Sequence, residues 1–124
     1  MDIKGLRIGN YLITNKGEIN RVSGISDIHG IYRICPYETP IYDYAENFSP
    51  IPLTEEWDGK FKFKKTGYRL VCYENNKYIF EMTVEEIGGF SGRRKYFVPV
   101  TIVEYVHQVQ NLYFALTNKE LLIK

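Results

Sequence analysis

The strongest hydrophobic periodicity in the chain lies near its carboxy end. At about 100° per residue, Ile102, Tyr105, Val106, Val109, Leu112, Tyr113 and Leu116 fall on one side of a helix. Glu104, His107, Gln108 and Asn111 fall on the opposite, polar side, and Val103, Gln110 and Phe114 make a mixed flank. Thr101 and Glu104 form a T-x-x-E capping box, so the spacing predicts one amphipathic helix over about 102–117, packed on a sheet. Asn118 is placed to end it in the left-handed conformation, and Leu121-Leu122-Ile123 reads as a short closing strand.

Elsewhere the pattern is that of short strands. Tyr11-Leu12-Ile13-Thr14 and Glu18 to Val22 flank the turn residues Asn15-Lys16-Gly17; Ser23-Gly24 reads as a break, and Asp27-Ile28-His29-Gly30 as a turn before Ile31-Tyr32-Arg33-Ile34. Such a front end, opening with Arg7-Ile8-Gly9-Asn10, has the look of a small SH3-like barrel. Pro36, Pro40, Pro50 and Pro52 then forbid a continuous helix or central strand, and Tyr37, Tyr42, Tyr44 and Phe48 suggest that this stretch packs on the body. Thr54-Glu55-Glu56-Trp57 reads as a helix start capped by Thr54 and ended by Gly59, with Trp57 as core anchor. The alternation Lys60-Phe61-Lys62-Phe63-Lys64 reads as a strand with rings on one face and ammonium groups on the other. Tyr68 to Glu74 and Lys77 to Thr83 form a central hairpin across Asn75-Asn76; Glu85 to Lys95 reads as a loose glycine-bearing loop, and Tyr96-Phe97-Val98 as a strand that Pro99 ends or confines to an edge.

These elements make an α+β fold, and 124 residues fit a single domain, 1–124. Composition changes that picture in one respect. Aromatic residues reach 15%, with eleven Tyr, so many rings must sit at the core boundary with their hydroxyls in water. The net charge of +1 lacks the basic excess of a dedicated duplex binder. Asp2 and Lys4 interrupt any leader-like start and no apolar run approaches spanning length, so the expectation is a cytoplasmic protein without a membrane role.

Candidate chemistry is sparse. Cys35 and Cys72 lack metal-ligand spacing, and Cys72, in an apolar run, reads as a small buried hydrophobe. Gly88-Gly89-Phe90-Ser91-Gly92 has no following Lys-Ser or Lys-Thr to hold a phosphate. His107, one helical turn from Glu104, reads either as a carboxylate-oriented general base or, more simply, as an ordinary helix-surface histidine. No catalytic residue, metal or cofactor is expected. Two basic clusters, Lys60, Lys62, Lys64, Lys65 and Arg69, and Arg93, Arg94 and Lys95, lie beside aromatic rings as in single-strand binders; their plainer reading is a solvated face. The polar stripe Glu104, Gln108 and Asn111 is expected to tie the proline-rich stretch to the helix, with a partner site as the alternative.

Three blocks resemble a known family: Leu6 to Tyr11, Pro50 to Trp57, and above all Tyr105-Val106-His107-Gln108-Val109-Gln110-Asn111-Leu112-Tyr113-Phe114-Ala115-Leu116-Thr117. They are similar to an abundant group of small uncharacterised proteins of anaerobic gut bacteria, often in prophage-like or mobile regions. Asn118 stands where that family often has Gly, and Asp58-Gly59 is less apolar than its usual continuation after the Trp. The resemblance implies genomic context and no activity. The expected function is therefore a non-enzymatic protein-interaction module, with a nucleic-acid binder and a small enzyme as the alternatives.

Overall fold

The computed structural model describes residues 5–37, 41–63, 66–74, 77–87 and 92–123. It is α+β, with two antiparallel sheets of five and three strands and one main helix near the carboxy end. The chain divides into two compact units, Met1–Pro52 with Tyr105–Leu121, and Leu53–Glu104 with Leu122–Lys124.

In the first unit β1 (Tyr11–Thr14), β2 (Ile19–Ile28), β3 (Ile31–Pro36), β4 (Asp43–Tyr44) and β5 (Phe48–Pro50) lie in the order β4-β3-β2-β1-β5. The β1–β2 turn is held by the Thr14 N–H donating to Glu18 O at 2.8 Å, with Gly17 at φ 84°. Ser23-Gly24, expected to break the strand, instead makes a bulge inside it. The register slips between Val22 and Gly24, so the first half of β2 pairs with β1 and the second half with β3. His29 and Gly30 both take positive φ in the two-residue turn that follows, as the matching twist of such a hairpin requires. The proline-rich stretch contributes more sheet than its prolines suggested: β4 pairs with β3, a 3-10 turn spans Ala45–Asn47, and β5 returns as an edge strand beside β1. Leu12, Val22, Ile34, Ala45 and Phe48 form the core of this unit, with Leu6 and Ile25 against it.

Helix α2 runs Val106–Thr117, four residues later than the spacing predicted. Ile102 and Val103 finish a strand, and Thr101 and Glu104 do not cap anything helical. The β-branched run before Tyr105 has partners waiting in Tyr78 to Phe80, and that pairing outweighs the local capping signal. The helix starts instead at Tyr105, whose N–H donates to Gln108 Oε1 at 3.1 Å. It ends as expected at Asn118, φ 58°. The buried face also differs from the expected one: Val106, His107, Val109 and Gln110 are enclosed, while Leu116 is 44% exposed. Leu121 is buried, but 121–123 form no strand.

In the second unit α1 (Glu56–Phe61) precedes the sheet β6-β7-β8 (Tyr68–Glu74, Lys77–Ile87, Arg93–Val103). The described residues of the predicted strand 60–64 do not form one: Lys60 and Phe61 close α1, and Lys62 caps it at φ 53°. Gly59 lies inside the helix, and the Thr54 backbone oxygen, rather than its hydroxyl, receives the Trp57 N–H at 3.2 Å. Ring packing explains the preference. Helical spacing brings Trp57 within 5.2 Å of Phe61, which meets Phe63 at 5.8 Å, and Phe63 meets Phe80 at 6.2 Å. The rings point inward and Lys62 outward in either conformation, so the alternation could not distinguish them. The central hairpin is present, with its Asn75-Asn76 turn outside the described residues. Glu85 to Ile87 and Arg93 to Lys95, expected as loop, extend the β7–β8 ladder; residues 88–91 lie outside the description. Pro99 sits beside a bulge on the edge strand β8, where its missing N–H is tolerated. Cys72 is exposed, contrary to expectation, among the last residues of edge strand β6.

Leu12 and Leu116 test this packing. Leu12→Ala should lower unfolding free energy by about 2–5 kcal/mol. Leu116→Ala, on the side the periodicity marked as buried, should change it by about 0.5 kcal/mol or less. Urea melts of the two variants would measure both.

Candidate functional site

The Arg7-Ile8-Gly9-Asn10 segment folds as a turn because Gly9 adopts φ 99° and the Asn10 N–H donates to Arg7 O at 3.1 Å. A side chain at Gly9 would meet Glu120 and Arg21, so a residue without one is needed there. The turn presents its groups to α2. Gln110, fully buried, accepts the Tyr11 N–H at 2.8 Å and donates to Gly9 O and Leu121 O, both at 3.1 Å. Asn10, also fully buried, donates to Asn111 Oδ1 at 2.8 Å, and Asn111 donates to Gly5 O at 2.7 Å. Arg7 holds Glu120 in a two-point ion pair, the second contact at 3.1 Å, and lays its guanidinium 4.1 Å from the centre of the Phe114 ring.

The predicted polar helix face is thereby divided. Glu104 stands before the helix, Gln108 is exposed and caps it, Asn111 joins the buried network, and His107 is buried. Asn111 bonds the amino-terminal turn rather than the proline-rich stretch; the backbone makes that latter connection, through Val106 N–H to Ile51 O at 2.9 Å. Gln110 and Asn10 escaped the sequence reading, although Gln110 on a flank otherwise apolar was a usable signal. His107 Nδ1 has no partner among the described residues, its ring stacks on Tyr105 at 5.9 Å, and burial lowers its pKa. Glu104, one helical turn away in the sequence reading, lies outside the helix, so the predicted i, i+3 relation is lost. Among the described residues no three His, Cys, Asp or Glu side chains gather as metal ligands.

The described members of the two basic clusters have different surroundings. Lys60 sits 4.6 Å from the centre of the Trp57 ring, and Lys62 is exposed at the end of α1; Lys64 and Lys65 lie outside the described residues. Arg69 is paired with Glu81 at 2.6 Å and lies 3.9 Å over Phe97. In the β7–β8 ladder Arg93 stands opposite Ile87, Arg94 opposite Glu86 and Lys95 opposite Glu85. As successive strand residues, Arg94 and Lys95 point to opposite faces of the sheet.

A different surface is more coherent. Register places Gly24, Ser26, Ile28, Ile31, Arg33, Cys35 and Tyr44 on one face of β2, β3 and β4, opposite the face carrying core Ile34. Ile28 is 60% exposed, Ile31 48% and Tyr44 52%. Arg33 lies 5.2 Å over the Tyr44 ring, and the Tyr42 hydroxyl reaches over Gly24, where a methyl group would stand 2.5 Å from it. No family model, curated protein or solved structure matches the chain. Among the described residues no helix is long and apolar enough to cross a membrane.

Two predictions follow from the buried polar groups. Gln110→Ala removes three buried hydrogen bonds to the backbone and should cost about 3 kcal/mol, whereas Gln108→Ala should cost about 1 kcal/mol or less by urea melt. Because the folded chain holds His107 neutral below its ordinary value of 6.5, the unfolded chain takes up the proton first. Stability is therefore complete above that pH and falls as pH drops below it. Urea midpoints between pH 7.5 and 5.5 should decline for the native chain and stay flatter for His107→Gln.

Proposed function

We propose that the chain is a non-enzymatic protein-interaction module that docks a partner protein on the outward face of β2, β3 and β4. The observation that carries this reading is the grouping of Ile28, Ile31, Tyr42 and Tyr44, all exposed, around a single ring-stacked arginine. Rigid aromatic and branched side chains beside an arginine give large contact area at low entropic cost. Apolar patches of this kind on soluble domains mark interaction sites.

The strand path supports reading the first unit as SH3-like: a long bulged β2 shared by two ladders, a 3-10 turn, and a β5 that returns to β1. The cytoplasmic, mobile-element accessory role suggested by the family resemblance belongs to the same proposal. The nucleic-acid alternative loses support, because Arg69 is paired with Glu81 and Lys95 stands opposite Glu85 in the ladder.

Tagged native chain and an Ile28→Ser/Ile31→Ser/Tyr44→Ala variant, with matched urea midpoints, should be used as bait in a host lysate. The native chain should retain a discrete protein that the variant loses. Retention of nothing, or equal retention by the variant, would defeat the reading. Filter binding of a single-stranded oligonucleotide that fell steeply with salt would favour the nucleic-acid alternative instead.

A further inference from the structure

At the free end of the β2–β3 hairpin the outward sheet face is hollowed. A cleft of about 100 Å³ there is lined by Ser26, Ile28, His29, Ile31 and Arg33. By their share of liquid volume about three waters would fill it, which is also the scale of one branched aliphatic side chain. Ile28 stands opposite Ile31 in the register, and both are exposed.

Arg33 lies between Ser26 on β2 and Tyr44 on β4. Its guanidinium is over the Tyr44 ring, a contact that takes up none of its five N–H donors. Among the described residues the Arg33 side chain enters no ion pair. The carboxylates nearest in register belong to the other face, because Asp27 stands opposite Tyr32 and Asp43 opposite Ile34. Asp43 also accepts from the Asn47 amide at 2.8 Å. The hairpin end is therefore an aliphatic notch beside a cation that no described carboxylate balances.

These groups separate the possible occupants. A wholly apolar segment would cover the guanidinium and leave its donors unpaired, which is costly. A second copy of this face would bring another cation and no carboxylate. A phosphate, strongly hydrated, would meet two isoleucines where it needs further donors. A carboxylate matches the planar fork of an arginine with two parallel bonds. In an extended segment, side chains two residues apart share one side at a spacing of about 7 Å, which is also the spacing of Ile31 and Arg33 along β3.

We propose that the hairpin end of this face takes an extended partner segment of the pattern aliphatic-x-acidic, the aliphatic side chain in the notch of Ile28 and Ile31 and the carboxylate on Arg33. This occupant rests on the docking reading of the β2–β3–β4 face and gives it a chemistry.

The test is an amide-resolved NMR titration of the full chain with the blocked peptide acetyl-Gly-Leu-Thr-Glu-Gly-amide, and with the same peptide carrying Gln for Glu. Saturable shifts are expected at Ser26, Ile31 and Arg33, with the Glu peptide bound about tenfold more tightly, the gain of one hydrogen bond between charged groups. That preference should shrink as salt is raised. Arg33→Gln, with amide dispersion intact, should bind both peptides alike. Equal affinity of the two peptides for the native chain, a preference that survives Arg33→Gln, or no saturable shift at this face would each overturn the proposal. Inorganic phosphate displacing the peptide at equal concentration, or the same shifts on raising protein concentration alone, would also overturn it, in favour of a phosphate site or a second copy. Equal peptide affinities together with loss of the lysate protein in the Ile28→Ser/Ile31→Ser/Tyr44→Ala variant would leave the docking face standing and remove only its acidic occupant.

Discussion

The first unit depends on one side-chain amide. Gln110 lies where no water reaches, and its oxygen and nitrogen meet the Tyr11 N–H and the carbonyls of Gly9 and Leu121. Those three backbone groups belong to the entry of β1, the turn before it and the tail after α2. Gln110 satisfies the Leu121 carbonyl, shares Gly9 O with Arg21 Nε at 3.2 Å, and accepts from Tyr11, so losing it removes hydrogen bonds from three backbone groups at once. A leucine there would fill space but satisfy nothing. The amide therefore specifies how the two chain ends register on the helix, and Arg7 with Glu120 adds an outer clasp on the same contact.

This dependence explains which parts of the fold the sequence displayed. The body of α2, its end at Asn118, the hairpin of β6 and β7 and the inward rings Phe61 and Phe63 are written in local patterning, and the chain obeys it. The start of α2 is not local. Thr101 and Glu104 offered a cap, but Ile102 and Val103 had strand partners in Ile79 and Tyr78, and ladder pairing won. The inward face differs as well: His107 and Gln110 are enclosed, while Leu116 is exposed. Polar residues on a helix read as solvent-facing unless the groups they satisfy are known, and two of those groups, Gly9 and Tyr11, sit about a hundred residues away in the chain.

The candidate sites were legible to a similar depth. Clusters of lysine and arginine are visible in one dimension, but a strand sends neighbours to opposite faces and a ladder sets carboxylates against them. What remained invisible was a face made by register: Ile28, Ile31 and Tyr44 come from three strands and share no sequence spacing.

Taken together, the first unit has an inverted division of side chains. Asn10 and Gln110 are wholly enclosed and His107 nearly so, while Ile28, Ile31, Tyr42 and Tyr44 remain largely in water. The enclosed amides are accounted for by the backbone groups they satisfy, so they do not indicate a poorly formed core. The exposed hydrophobes have no such account within the lone chain: Arg33 covers one ring, and Tyr42 lies over a glycine without burying itself. Folding alone gains nothing from leaving these side chains in water. A surface of this kind is stabilised when something covers it, and the side chains that would be covered are rigid, close together and already ordered by the sheet beneath them.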